Sequence, residues 1–442
     1  MPGRTRRQFL KSLGAAGALA AGLPAAMSGC QHAPVGKAAP SSAPAAARPN
    51  VLFILTDDQR FDALSCAGHP FLATPHLDRL AAEGARFANA FVTTSLCSPS
   101  RASLLSGLYP HGHGVLNNFT DYPADLASWP RTLQQAGYET AYVGKWHMGE
   151  QSDERRPGFD YWVSHKGQGK YTGTEFNVDG RRRTPPGYYT HAVTDFAVEW
   201  LKRPRTRPFA LILGHKAPHT PVEPEAKYEH IFDAIDIRYP ASALALEGKP
   251  DWIRQRLDTW HGIYGPLWGF REKFPDRRPE AVAHFARFVR AYLATIKSVD
   301  DSVGRICRAL ADLGQLNNTL IVFAGDNGFF LGEHGMMDKR AMHEESIRVP
   351  LIVRYPPLIA RPRVVREMVL NVDLAPSVLD VCGLPPPAGV HGASWKRLAA
   401  GDASGWRRSW YYAYNYEKEF PYTPNVRGVR TDEWKYIHYP HG

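Results

Sequence analysis

Four uninterrupted apolar runs of strand length, each ending in a polar cluster, constrain the fold of this chain more than any other feature. Val51-Leu52-Phe53-Ile54-Leu55 leads into Thr56-Asp57-Asp58-Gln59, and Thr140-Ala141-Tyr142-Val143 leads into Gly144-Lys145-Trp146-His147. Phe209-Ala210-Leu211-Ile212-Leu213 leads into Gly214-His215-Lys216-Ala217-Pro218-His219, and Leu320-Ile321-Val322-Phe323 into Ala324-Gly325-Asp326-Asn327-Gly328. A strand that is apolar at every position, rather than at every second one, has to bury both faces. Helical patterns at Leu77 to Ala90, Trp129 to Ala136, Thr190 to Lys202 and Ala281 to Leu313 supply the cover. The expected fold is α/β, a mostly parallel sheet sandwiched by helices. Open sheets of this kind bind ligands beyond the carboxyl ends of their strands, where all four clusters fall, so the clusters are expected to converge on one site.

Asp57, Asp58, Asp326 and Asn327 offer hard oxygen ligands, the set that suits Ca²⁺ or Mg²⁺ rather than zinc. Taken singly, each of these residues would read as a helix cap or a tight turn. Arg101, Lys145, His147 and His219 could hold a divalent tetrahedral oxyanion and move protons. Lys339, in His334-Gly335-Met336-Met337-Asp338-Lys339-Arg340, would by default be a surface lysine, and His111, His113 and His215 are read as structural.

The formal charge of +10 over 442 residues favours acidic partners. Basic residues are scattered, with the tightest run at Arg181-Arg182-Arg183, and no zinc-finger spacing or helix-long basic stripe occurs, so nucleic acid is not an expected partner. No internal repeat and no glycine-rich phosphate loop is present. The five cysteines, Cys30, Cys66, Cys97, Cys307 and Cys382, are too few and too widely spaced for a disulfide scaffold. Cys307 and Cys382 read as small buried hydrophobes, and Cys66 has no distinguishing context.

Arg4-Thr5-Arg6-Arg7-Gln8-Phe9-Leu10-Lys11, followed by a small apolar stretch from Ser12 to Ala26, is similar to a twin-arginine signal peptide. Met27-Ser28-Gly29-Cys30 resembles a lipoprotein cleavage box with Met in place of the usual Leu, which leaves lipidated and unlipidated Cys30 both open. Residues 31–49, rich in Ala, Pro and Ser, read as a tether. The expected organisation is a leader over 1–30, the tether, a catalytic domain over 50–385 and a C-terminal subdomain over 386–442, in a protein exported to the periplasm or anchored to a membrane.

From about Asn50 to Tyr439 the chain resembles the type I, formylglycine-dependent sulfatases of the alkaline phosphatase superfamily. The most specific element is Cys97-Ser98-Pro99-Ser100-Arg101-Ala102-Ser103-Leu104-Leu105-Ser106-Gly107, similar to the family's Cys-x-Pro-x-Arg signature. A cysteine phosphatase would need five residues between Cys and Arg, and here there are three. The resemblance implies an alkaline-phosphatase-like sheet with a smaller C-terminal α+β subdomain built on an antiparallel sheet. It also implies that Cys97 is oxidised to formylglycine by a generating enzyme or maturase, with the metal held by Asp57, Asp58, Asp326, Asn327 and converted Cys97. One hydroxyl of the aldehyde hydrate would attack sulfur to give a covalent sulfo-enzyme, and deprotonation of the other would expel sulfate. Arg101 and Lys145 would orient the hydrate and sulfate, His147 would be the base of the elimination, and His219 with Lys339 would grip sulfate and help the alcohol depart. Family members usually continue beyond the strand resembling Asp432-Glu433-Trp434-Lys435-Tyr436-Ile437, so a truncated C-terminal subdomain is one reading of the end at Gly442.

Two segments could line a sugar cleft, Tyr161 to Tyr189 with Gln168, Lys170 and the triple arginine, and Trp410 to Arg430 with Tyr416, Glu417, Phe420 and Tyr422. The C-terminal run is similar to N-acetylglucosamine-6-sulfatases, which makes a sulfated carbohydrate such as a glycosaminoglycan the expected substrate. An aryl or choline-type sulfatase, a phosphonate monoester or phosphodiester hydrolase on the same scaffold, and a non-catalytic lipoprotein that binds sulfated glycans are the competing expectations.

Overall fold

The computed structural model describes residues 48–255, 277–421 and 423–440. The leader with Cys30, most of the tether, and Tyr422 lie outside the described residues.

The large sheet is built on β1 (Asn50–Thr56), β2 (Ala85–Phe91), β3 (Glu139–Gly144), β4 (Tyr161–Ser164), β5 (Phe176–Val178), β6 (Arg181–Arg183), β7 (Phe209–Gly214) and β8 (Thr319–Gly325). The hairpin β9 (Phe330–Leu331) and β10 (Met337–Asp338) follows, and β11 (Arg348–Val349), β12 (Leu351–Arg354) and β13 (Arg363–Leu370) return to the large sheet. At its heart β8, β1, β7, β3 and β4 run parallel in that spatial order. β12 joins β8 antiparallel on one side, and the β5–β6 hairpin extends the other edge antiparallel from β4.

Alternate residues of one strand face opposite cores. Val51, Phe53 and Leu55 pack on the face carrying α2 (Cys97–Ser106), α3 (Trp129–Gln135) and α6 (Leu374–Val381). Leu52 and Ile54 pack on the face carrying α1 (Pro75–Ala82), α4 (Tyr189–Leu201) and the long α5 (Pro279–Asp312). Every residue of β1 is at most 3 % exposed, and each large aliphatic or aromatic side chain so buried contributes about 1.5–3 kcal/mol. The lack of alternation in the sequence is thus the signature of a sheet covered twice. Among the described residues no helix is long and apolar enough to cross a membrane.

The helix expected from Leu77 to Ala90 stops at Ala82, and Ala85–Phe91 is instead a strand. β2 pairs antiparallel with β11 and β12 and parallel with β13. Gly84 makes the switch, since a Cβ there would sit 2.2 Å from the Val353 carbonyl oxygen. Beyond it Ala85 and Phe87 are buried while Arg86 and Ala88 are less so, a period of two that the alanine-rich composition disguises. The expected C-terminal antiparallel sheet is present as β14 (Ser409–Tyr414), β15 (Val426–Thr431) and β16 (Lys435–His438).

Candidate active site

All four polar clusters converge at the carboxyl ends of β1, β3, β7 and β8, with Cys97 facing them from the first turn of α2. The backbone there is bent out of ordinary geometry. Asp58 and His147, just past β1 and β3, hold φ of 61° and 49°, and Arg340, just past β10, holds 81°. Left-handed backbone at bulky residues costs about 1–3 kcal/mol each and persists where the surroundings over-determine it. Gly144 ends β3 at φ 110°, where a Cβ would sit 2.0 Å from the Gly214 carbonyl oxygen. That close approach carries Lys145 and His147 over the end of β7.

The charges interlock. Arg101 donates through Nε to Asp326 Oδ2 at 2.8 Å and through a terminal nitrogen to Asp57 Oδ2 at 2.8 Å. Lys145 also pairs with Asp57 Oδ2. Lys339 pairs with Asp58 Oδ1 and donates to Cys97 Sγ at 3.0 Å, while that sulfur lies 3.4 Å from Asp57 Oδ1. His219 Nε2 stands 3.7 Å from Asp58 Oδ2, and Tyr171 donates its hydroxyl to the His219 carbonyl at 2.8 Å. Three buried carboxylates thus face one guanidinium and two lysine side chains.

Burial raises the Asp57 carboxyl, but Lys145, His219, Arg101 and Lys339 together hold it well below the usual carboxylate range. Asp58, desolvated and flanked by Asp57 and Asp326, is pushed up to about 7 against the pull of Lys339. Burial foremost, then Asp57, lifts the Cys97 thiol well above its ordinary value, which makes the unmodified side chain a neutral thiol and a poor nucleophile.

The donor set fits a hard divalent cation. Asp57, Asp58, Cys97 and His219 offer ligand atoms within 4.8 Å of one another. Asp58 Oδ2 and Asn327 Oδ1 are buried oxygens without a hydrogen-bond partner, while Asn327 Nδ2 donates to Asp58 Oδ1 at 2.6 Å. Orphaned acceptors of this kind are costly unless something positive occupies the space between them. Asp326 enters the cluster through Arg101 and by accepting the Asp58 amide at 3.1 Å.

His113 and His215 are buried away from these contacts, bonded to Ser103 and to Ser302, and His111 is exposed. Cys382 is buried, but Cys307, expected to be buried too, is only half-buried at the rim of its core. The aromatic segments also differ from expectation. Tyr161, Tyr171, Phe176, Tyr188, Tyr189, Trp410, Tyr412 and Tyr414 are core residues, because the strands and helix that carry them turn those positions inward. Arg182 pairs with Asp153 and, with Lys166, Gln168 and Lys170, lines a surface cleft of about 510 Å³, while Arg181, Arg183 and Tyr416 are exposed as well.

Two partnerships escape sequence reasoning. Gln168 reaches inward to Lys145 and His147, and Glu417 accepts from Arg340 at 2.8 Å with 1 % of its surface exposed. Neither is signalled by spacing, since their partners lie 23, 21 and 77 residues away.

This sheet, with a cation-lined oxyanion pocket at its carboxyl edge, defines an alkaline-phosphatase-like hydrolase. Residues 49–384 match the Sulfatase family and residues 332–441 match "N-sulphoglucosamine sulphohydrolase, C-terminal". The chain belongs to the sulfatase family and is a sulfuric ester hydrolase. It is 34 % identical to an N-acetylglucosamine-6-O-sulfatase of Bacteroides thetaiotaomicron, over 89 % of this chain and 78 % of the relative. A putative extracellular sulfatase Sulf-1 homolog of Caenorhabditis elegans is 31 % identical over 79 % of this chain, which spans 49 % of that protein. A solved structure described as a complex with its substrate D-glucosamine-2-N,6-O-disulfate superposes with a TM-score of 0.81 at 33 % identity, covering 89 % of each chain.

Proposed function

We propose that this enzyme removes 6-O-sulfate from glucosamine units of sulfated carbohydrates of the glycosaminoglycan type. The observation that carries the reading is the likeness, over 89 % of this chain, to a structure described as a complex with its substrate, a glucosamine disulfate. Aryl sulfates and phosphonate monoesters are then poor substrates.

Asp57, Asp58, Asp326 and Asn327 would hold the metal, Ca²⁺ or Mg²⁺, together with the side chain at position 97: Asp57, Asp58 and Cys97 share one cluster of ligand atoms, and Asp58 and Asn327 carry the orphaned oxygens. When bound, the metal supplies Lewis acidity toward the sulfate oxygen and lowers the pKa of the attacking hydroxyl. Conversion of Cys97 to formylglycine supplies that hydroxyl as an aldehyde hydrate, which the neutral thiol does not. Arg101 is held from both sides by Asp57 and Asp326, so its guanidinium is fixed before substrate arrives. Lys339 reaches the side chain at position 97 and Lys145 stands against Asp57, and the two bind sulfate oxygens. His219 donates Nδ1–H to the Thr220 carbonyl at 2.5 Å, which turns Nε2 toward the pocket; burial foremost, then Lys145, keeps the resting ring neutral, so Nε2 protonates the leaving alcohol only after taking up a proton itself.

Residues 1–30 direct export by the twin-arginine route, with a lipid on Cys30 as a variant of the same proposal. Because that route carries folded proteins, a maturase could modify Cys97 before export. The relative named extracellular is consistent with an exported enzyme.

Sulfate release from 6-O-sulfated N-acetylglucosamine, N-sulfoglucosamine-6-sulfate, an aryl sulfate and a phosphonate monoester tests the substrate. Faster turnover of the aryl sulfate than of either sugar overturns it. Mass spectrometry of the Cys97 peptide tests the nucleophile, and an intact thiol in fully active enzyme overturns that part.

A further inference from the structure

Lys145 Nζ donates to Gln168 Oε1, and Gln168 Nε2 lies 2.9 Å from His147 Nε2. We propose that Gln168 is a positioning residue that fixes His147 as its Nδ1–H tautomer, so that the resting enzyme presents the imidazole as a hydrogen-bond donor. The proposal rests on the sulfatase reading only for its kinetic consequence.

An ammonium has three donors and no lone pair, so the carboxamide has to turn its oxygen toward Lys145. The amide nitrogen is then the only group left for His147, and an NH₂ group is likewise donor only. His147 Nε2 must accept, and the ring's proton sits on Nδ1. Reversing the amide would set NH₂ against ammonium at one end. A single permanent charge at Lys145 therefore determines a proton position one residue further along the network.

Two other groups bear on the ring. Glu150 Oε1 stands 3.5 Å from the same Nε2, an acceptor that would favour a proton there, but it lies beyond good hydrogen-bond reach and its side chain is 34 % exposed. His147 Nδ1 is buried and has no hydrogen-bond partner. With the proton assigned to it, that atom is a buried N–H donor with no acceptor among the described residues. Burial, then Lys145, holds the ring's basicity well below the ordinary histidine value, which keeps it neutral.

The arrangement has a chemical consequence. His147 can take up a second proton only at Nε2, and it does so only when the Gln168 amide turns away from that nitrogen. Gln168 also lines the 510 Å³ cleft, so its outer side meets whatever enters there.

The test is heteronuclear NMR of the full-length protein labelled with ¹⁵N-histidine, with the His147 signals assigned by their loss in His147→Asn. The expected result is a pyrrole-type Nδ1 and a pyridine-type Nε2. A pyridine-type Nδ1 overturns the proposal without any reference to activity. In Gln168→Glu the carboxylate can only accept, so Nε2 is expected to become protonated, as the other tautomer or as imidazolium; an unchanged spectrum also overturns the assignment. Turnover of a sugar sulfate by Gln168→Glu is expected to fall about 10²-fold, as loss of general acid–base catalysis does, with KM changed less than about threefold. If the tautomer switches as expected and turnover does not fall, the positioning role stands and the part assigned to His147 under the sulfatase reading fails.

Discussion

Glu417 Oε2 accepts from Arg340 Nε at 2.8 Å, with both side chains at most 4 % exposed. Arg340 immediately follows Lys339, it also pairs with Asp338, and its backbone carbonyl accepts the Tyr412 hydroxyl at 2.7 Å. The flank of the C-terminal sheet therefore clamps the residue next to the cation that reaches Cys97. Removing one member of a buried pair costs about 3–5 kcal/mol when the other charge is left wholly uncompensated; Asp338 still faces Arg340 here, so the loss is that of a buried donor left unsatisfied, about 1–3 kcal/mol. Glu417→Ala is expected to lower unfolding stability by that order and to reduce turnover through Lys339, whereas Glu417→Gln keeps an acceptor and loses less. Denaturant unfolding and sulfate release, measured on both variants, check the ordering.

His219 and the leaving alcohol provide a second test. A general acid matters most when the leaving group is a poor one, and its loss typically costs about 10²–10⁴-fold. His219→Ala is expected to slow a sugar sulfate by that factor and an aryl sulfate much less, because a phenolate departs without protonation. Equal losses on both substrates would place His219 in binding or folding rather than in proton transfer.

Much of this site was legible because its parts sit at strand ends. A run such as Leu320-Ile321-Val322-Phe323 announces a strand buried on both faces, and the residues after it then have only one place to go. Asp57, Asp58, Lys145, His147, His219, Asp326 and Asn327 were found in that way, and Cys97 with Arg101 through their motif. Lys339 needed the family resemblance, because it follows a two-residue strand with no periodicity to read. Gln168 and Glu417 are legible only as candidate lining of a sugar cleft, since what defines their inward role is a partner on another element and no pattern along the chain encodes it. β2 was hidden for a related reason, its pairing partners β12 and β13 lying more than 250 residues downstream.

The metal can be tested by its linkage to stability. A ligand that binds only the folded chain adds about 2.7 kcal/mol at a hundred times its dissociation constant. Chelation of the purified enzyme is expected to lower Tm and abolish sulfate release, and titration with Ca²⁺ or Mg²⁺ is expected to restore both. Asp58→Ala removes the orphaned Oδ2 and should remove the metal-dependent part of Tm with it. A melting temperature indifferent to chelator would dismiss Asp57, Asp58, Asp326 and Asn327 as ligands.

Acid sensitivity follows from histidines that the chemistry does not use. His113 accepts the Val115 amide at Nδ1 at 3.1 Å, so its proton lies on Nε2, facing Ser103 Oγ at 3.1 Å. Burial foremost brings His113 down to about 3, and burial likewise brings His215 down to about 3. An unfolded histidine titrates near 6.5, so between those values the unfolded chain binds more protons than the native one. The stability these neutral rings allow is fully present above about pH 6.5 and is lost as pH falls toward 3, by about 1.4 kcal/mol per ring per pH unit. Unfolding followed between pH 7 and 5 is expected to show Tm falling with acid. His113→Asn, which retains an acceptor for Val115 and cannot titrate, is expected to reduce the pH slope by about one proton, even where it lowers stability at pH 7. A slope identical to that of the wild type would mean that His113 is not held neutral in the native protein.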